Sequence, residues 1–370
     1  MKTLFSTPDL CISRPAMVDP TSFYLLTYDG LCFVRDGETK IIYPFSDQIS
    51  PFRTVFDTTD YLLSVTFQSP VWKNDRILFG AIEKQTDGNI AHKLKIVTPE
   101  GELLAEHLVQ EGGGRIRAGD EVIFYLGPWT VQAFTWDGQL LYTIPAQAGA
   151  FVVSCLLHHS LLYVGLTEGS EGLNLHQVDR NGKEKVLYSL DNLCGQPLSM
   201  LGVKEISFYD PYVCLWVSNQ KENFFLVFHV QEEQVQFCCK IGMGEDNFPF
   251  VKTASIYQDH VMWTMTSDRP FYGTGIVKKV SIRDPSCIEE YRLPEPVSIA
   301  CGLPPIRKED GTVCTMWCGR GGRRFILYNR PDGSVKTKRT RVVNSWLYRF
   351  GKLYLVCTYS QTGSKILVTT

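Results

Sequence analysis

Glu121-Val122-Ile123-Phe124-Tyr125 is followed, after a short loop, by Val131-Gln132-Ala133-Phe134-Thr135-Trp136-Asp137-Gly138-Gln139-Leu140-Leu141-Tyr142. The first run is a dense apolar, β-branched and aromatic strand entered from an acidic turn at Asp120. The second is a hairpin, because Asp137-Gly138 supplies the positive φ that a tight reversal between two strands requires. Together they make three strands and the start of a fourth-strand pattern, and the rest of the chain is read against them.

Runs of the first kind begin at Arg76, Glu121, Leu161, Tyr212, His260, Thr312 and Lys352, at spacings of 45, 40, 51, 48, 52 and 40 residues. Each is preceded by another strand pattern, and Asp75, Asp120, Asp210, Asp259 and Asp310 stand in the turns between. Aspartate there stabilises the turn by accepting bonds from its own backbone. Hairpins of the second kind recur around Pro99-Glu100-Gly101, Asn181-Gly182 and Asp332-Gly333. No helical periodicity of useful length interrupts them. A four-strand antiparallel unit of about 45 residues, repeated along the chain, is the pattern of a β-propeller. Such a unit buries both faces only by stacking on its neighbours.

The last unit supplies strands at 346–350, 352–359 and 365–368 and then lacks a fourth. The expectation is that an N-terminal strand, drawn from 23–28, 31–35 or 40–43, fills that place and closes the ring. The leading count is then seven blades, with residues 1–20 as an N-terminal arm and 21–370 as the propeller. A competing count of eight takes Tyr28-Asp29-Gly30-Leu31 as a further turn, since Leu31 lies 45 residues before Arg76, and closes the ring near Leu4-Phe5. Seven is preferred because the N-terminal unit is compressed.

Trp136-Asp137 ends a third strand, where WD40-like propellers carry their WD dipeptide. It occurs once; Thr98-Pro99, Val178-Asp179 and Arg330-Pro331 stand at the corresponding positions, and the Gly-His element is missing. As architecture the chain resembles the WD40-like β-propeller superfamily over nearly its whole length. That resemblance implies a propeller and, as an expectation, an interaction platform. It carries no catalytic residue.

Composition narrows the function classes. Of 370 residues, 44% are hydrophobic, enough for a large core, and the net charge of −2 gives no global attraction to nucleic acid or anionic membrane. Met1-Lys2-Thr3-Leu4-Phe5-Ser6-Thr7-Pro8-Asp9 has no apolar signal-peptide core, and no stretch reaches about 18 apolar residues. A soluble, cytoplasmic protein is expected. The 12 cysteines are scattered, several inside strand patterns, and read as reduced core residues.

Chemistry concentrates in one place. Gly319-Arg320-Gly321-Gly322-Arg323-Arg324 is followed by Arg330, Lys336, Lys338, Arg339 and Arg341, eight basic residues opposed only by Asp332. Guanidinium forks suit carboxylate and phosphate. The uneven rim loops add Trp129, Asp246, Phe248, Arg269, Phe271 and Tyr272. Aromatics and arginines anchor protein interfaces. These residues, with Arg320, Arg323 and Arg324, form the expected partner-binding set, and Arg330 to Arg341 the basic patch. The expectation is a non-enzymatic platform for a protein or peptide partner, acidic or phosphorylated. The alternatives are a propeller enzyme with a polar channel site and a nucleic-acid-associated subunit using residues 320–341. No cofactor or metal is expected: Cys314 and Cys318 on one strand stand about 13 Å apart, too far for one ion. His158-His159-Ser160 lacks a nucleophile elbow, and Trp216, Trp263 and Trp317 read as packing between blades.

Overall fold

The computed structural model describes the chain except residues 57–63, 110–113, 128–129, 146–153, 167–171, 191–202, 219–221, 243–250, 258–259, 267–272, 285, 293–296, 301–302, 304–305, 320–323, 341–342, 360–362 and 370. The described residues are all-β. They form eight sheets that share one four-strand antiparallel path, here blades 1 to 8, with strands counted first to fourth along the path.

Blade 1 is Ala16–Met17, Ser22–Leu26, Gly30–Arg35 and Glu38–Pro44; blade 2 is Ile49–Pro51, Arg76–Lys84, Ile90–Val97 and Leu103–Val109. Blade 3 is Arg115–Ala118, Val122–Leu126, Thr130–Thr135 and Leu140–Pro145; blade 4 is Ser154–Leu157, Ser160–Leu166, Leu173–Val178 and Glu184–Ser189. Blade 5 is Val203–Tyr209, Tyr212–Ser218, Glu222–His229 and Gln234–Gly242; blade 6 is Val251–Tyr257, His260–Thr266, Gly273–Ser281 and Ile288–Arg292. Blade 7 is Val297–Ala300, Val313–Gly319, Arg324–Asn329 and Val335–Thr340. Blade 8 takes Val343–Arg349, Lys352–Tyr359 and Gly363–Val368, and its fourth strand is Lys2–Thr7.

The expected count of seven is therefore corrected to eight. Residues 16–44 do not lend a strand to the last blade; they are a complete blade of their own. The compression has a physical source. Its first strand is only Ala16–Met17, and its last hairpin turns on two residues, Asp36 (φ 51°) and Gly37 (φ 92°). Both central residues have positive φ, as the tightest hairpin turn requires. The strand that completes blade 8 comes from further upstream: Lys2 pairs with Val368 and Thr7 with Ser364.

In blades 2, 3, 4 and 7 the turns between third and fourth strands repeat one geometry. In blade 3, Gly138 N–H donates to Thr135 O at 3.1 Å and Thr135 N–H to Gln139 O at 2.9 Å. The same pair of bonds closes Thr98 to Glu102, Asp179 to Lys183 and Arg330 to Ser334. Gly138 sits at φ 91°, and a Cβ there would approach Ala105 Cβ to 2.6 Å, so glycine is required twice over.

Two compact units are distinguished, residues 1–169 with 176–186 and 343–370, and residues 170–175 with 187–342. Within the first, apolar layers lie between successive blades. Leu4, Phe5 and Ile366 of blade 8 pack on Met17, Phe23 and Leu25 of blade 1. Tyr24 and Leu31 meet Phe79 and Ala81 of blade 2, and Leu94 and Ile96 meet Ile123 and Tyr125 of blade 3. Phe124 and Leu126 then meet Leu161 and Tyr163 of blade 4. In the second unit Phe225 and Val227 of blade 5 pack on Trp263 and Val280 of blade 6. Of the three tryptophans expected to pack between blades, Trp263 does so, Trp216 is half-buried against the same cluster, and Trp317 is fully buried.

The turn acids behave in more than one way. Asp310 accepts the Thr312 N–H at 2.9 Å, the expected self-bonded turn. Asp120 instead pairs with Lys73 of the preceding blade, and Asp137 of the WD dipeptide pairs with Arg76 at 2.6 Å. Asp259 lies outside the described residues.

Candidate interaction edge on blade 7

Of the expected partner-binding set, Trp129, Asp246, Phe248, Arg269, Phe271, Tyr272, Arg320 and Arg323 lie outside the described residues, as does Arg341 of the basic patch. Arg324, Arg330, Lys336, Lys338 and Arg339 are described, and they fall on one hairpin, the third and fourth strands of blade 7.

The local sequence dictates that hairpin. Gly333 at φ 79° and the Asp332 carboxylate, which accepts the Ser334 N–H at 2.8 Å, fix the turn. The turn fixes the register, Asn329 opposite Val335, and so every pair beyond it. Lys336 stands opposite Tyr328, Lys338 opposite Ile326, and Arg339 opposite Phe325. Ile326 and Leu327 are fully buried and anchor the third strand, while Lys336 and Arg339 are exposed on the fourth. Burial, with the nearby Cys314 as a lesser cause, pushes the Tyr328 hydroxyl up to about 12, so it stays neutral beside Lys336. The hairpin's one acid, Asp332, is held below the usual aspartate range by the Ser334 hydrogen bonds and, further down, by Arg330.

In blades 6 and 2 the lysines of the corresponding hairpins are neutralised. In blade 6, Lys278 lies 2.9 Å from Glu290 and Lys279 lies 3.3 Å from Glu289, each straight across the strands. In blade 2, Lys93 and Lys95 share Glu83 and Glu106 at 2.7–2.9 Å. Lys95 is only 3% exposed. Burial works against its charge, but the bonds from Glu83 and Glu106 outweigh that and hold its pKa above the usual lysine value. In blade 7 the residues across from Lys336, Lys338 and Arg339 are aromatic or aliphatic, and among the described residues none of the three pairs with a carboxylate. Three unneutralised cations on an outer edge strand form a local positive field that an acidic surface can meet.

Two constellations were missed in the sequence. In blade 4, the Tyr163 hydroxyl donates to Glu184, His176 Nδ1 lies 2.8 Å from the same carboxylate, and the Tyr163 and His176 rings stack at 4.8 Å. The His176 approach is close but poorly aligned for a hydrogen bond. Tyr163, His176 and Glu184 lie on the second, third and fourth strands of the blade, and such a cross-strand grouping is one that no local motif could announce. The second is the pair Arg115 and Arg117, and Arg14 is a further arginine tied to a backbone carbonyl elsewhere. Arg14 Nη2 donates to Trp346 O of blade 8 at 2.6 Å, and Arg117 donates from Nε and Nη2 to Ser154 O of blade 4 at 3.2 Å. The alternation Arg115-Ile116-Arg117 was the available signal.

The enzyme alternative asks for several carboxylates, histidines or asparagines converging from first strands. Those eight strands contain one carboxylate, Glu205, one asparagine, Asn344, and no histidine. Among the described residues no group of histidines, cysteines and acids could hold a metal, and no helix is long and apolar enough to cross a membrane.

No family model and no curated protein sequence matches the chain. Solved structures do resemble it. BamB from Moraxella catarrhalis aligns with a TM-score of 0.59 at 11% identity, over 97% of this chain and 96% of that one. A structure described as the Dos1 propeller aligns with a TM-score of 0.60 at 8% identity, over 100% and 93%. A eukaryotic initiation factor aligns with a TM-score of 0.58 at 10% identity, over 98% and 86%. At such identities the likeness is one of fold alone, and the repeated four-strand sheets make that fold a β-propeller.

Proposed function

We propose that this chain is a non-enzymatic platform that docks an acidic segment of a protein partner on the fourth strand of blade 7. The observation that carries the reading is the contrast between blades: Lys278 and Lys279 meet Glu290 and Glu289, whereas Lys336, Lys338 and Arg339 meet Tyr328, Ile326 and Phe325. A propeller fold commonly mediates protein interaction, which supports the class of function. The shortage of acids on first strands speaks against the channel-enzyme reading.

The test is fluorescence anisotropy with a labelled oligo-glutamate peptide, at low and at physiological salt. Wild type binds, more weakly at high salt, because exposed charges are screened. Replacing Lys336, Lys338 and Arg339 by alanine weakens binding about tenfold, at roughly 0.5 kcal/mol per exposed charge pair. Equal affinity in the triple variant contradicts the proposal. Preferential binding of duplex DNA over the peptide by the wild type transfers the site to the nucleic-acid reading.

A further inference from the structure

Arg115 and Arg117 are two apart on the first strand of blade 3 and so share a face. They stand opposite Leu126 and Phe124, both of which pack toward blade 4. Arg117 is held in place: besides Ser154 O it donates from Nη1 to Ile116 O at 3.2 Å. Arg115 is half-buried and makes no hydrogen bond or ion pair among the described residues. The described acids nearest in sequence are committed elsewhere, Asp120 to Lys73 and Glu121 to Arg180.

Burial holds both guanidinium groups below their ordinary pKa, and for Arg117, pushed down to about 10, the charge of Arg115 adds to the effect. Two like charges drawn out of water without a carboxylate form an unfavourable arrangement unless a counter-ion joins them. Arg117 spends three donors on carbonyls, whereas the five N–H donors of Arg115 meet no acceptor among the described residues.

We infer that Arg115 and Arg117 form an oxyanion site on the first strand of blade 3, in which Arg115 is the ligand-binding fork and Arg117 the fixed wall. The ligand is a phosphate group, free or carried by a larger molecule, since a planar guanidinium fork matches two phosphate oxygens. The site is separate from the edge of blade 7 and does not depend on it.

Thermal unfolding of the full chain in sodium phosphate and in sodium chloride, at one pH and equal ionic strength, tests this. Phosphate raises the wild-type midpoint by roughly 1–3 °C over chloride. Arg115→Gln abolishes that rise, and in chloride it melts no lower than wild type, because an unpaired like charge has been removed. Arg115→Lys keeps a smaller rise. The variant lacking Lys336 and Lys338 responds to phosphate as wild type does, which separates this site from the basic edge. No phosphate effect on wild type, an equal effect in Arg115→Gln, or a clear loss of stability of Arg115→Gln in chloride overturns the inference.

Discussion

Lys338 stands directly opposite Ile326 in the last hairpin of blade 7, where the last hairpin of blade 6 sets Lys278 opposite Glu290 at 2.9 Å. Both hairpins join the third and fourth strands of a blade, and they differ in whether charge is balanced across those strands. Unpaired surface cations contribute little to stability, so removing them is expected to be nearly silent. Lys336→Ala with Lys338→Ala should leave chemical-denaturation stability within about 0.5 kcal/mol of wild type. A loss beyond about 1.5 kcal/mol would show that these side chains hold the blade together.

The strand that completes blade 8 makes a sharper stability prediction. Leu4 and Phe5 are buried against blade 1, and Gly363 at φ 81° lies so close to the incoming chain that a Cβ would sit 1.9 Å from Thr7 O. Phe5→Ala should cost about 3–5 kcal/mol, as for a buried phenylalanine elsewhere. Gly363→Ala should cost at least about 1–3 kcal/mol through strain and displacement of Lys2–Thr7. Hydrogen exchange should then rise in Lys2–Thr7 and Gly363–Val368 before it rises in blade 3. Unchanged stability in both variants would contradict the pairing of these strands.

A pH dependence follows from blade 2. Burial opposes the charge of Glu83, but hydrogen bonds from Lys93 and Lys95 prevail and hold its pKa below the usual glutamate value of 4.5. A carboxylate whose folded pKa is depressed contributes stability that is present above its unfolded pKa and is lost as pH falls through the folded one. Glu83→Gln should therefore be less stable than wild type at neutral pH, by about 2–4 kcal/mol because nearly buried Lys95 loses one of its two acids. The gap should narrow steadily below about pH 4.5. A gap that stays constant down to pH 3 would exclude this carboxylate as its source.

The repeat was legible because buried second strands and Asp-Gly hairpins are local signals, readable within a dozen residues. Val122–Leu126 and the turn at Gly138 fell where the sequence placed them. The blade count failed where the repeat shortens. A two-residue first strand has no periodicity to read, and Asp36-Gly37, a strong hairpin signal, passed unused. Blade 2 hid its own rhythm, because Ile49–Pro51 is separated from Arg76–Lys84 by the paired strands Arg53–Phe56 and Ser64–Phe67 and by Val71–Lys73, which pairs with Arg76–Lys84. At the candidate edge, composition exposed the basic run, but whether Lys336, Lys338 and Arg339 are neutralised depends on cross-strand register. Register is a pairing property, set by the turn at Gly333 and invisible in the fourth strand alone.

The most direct measurement compares two charge reversals in one binding assay. Lys336→Glu with Lys338→Glu changes the unbalanced edge of blade 7, and Lys278→Glu with Lys279→Glu changes the balanced hairpin of blade 6 by the same formal charge. Affinity for the labelled oligo-glutamate peptide should fall by more than about tenfold in the first and change less than about twofold in the second, with both proteins folded by circular dichroism. Equal losses in the two variants would mean that the peptide senses only net charge, and the edge of blade 7 would then not be the docking site.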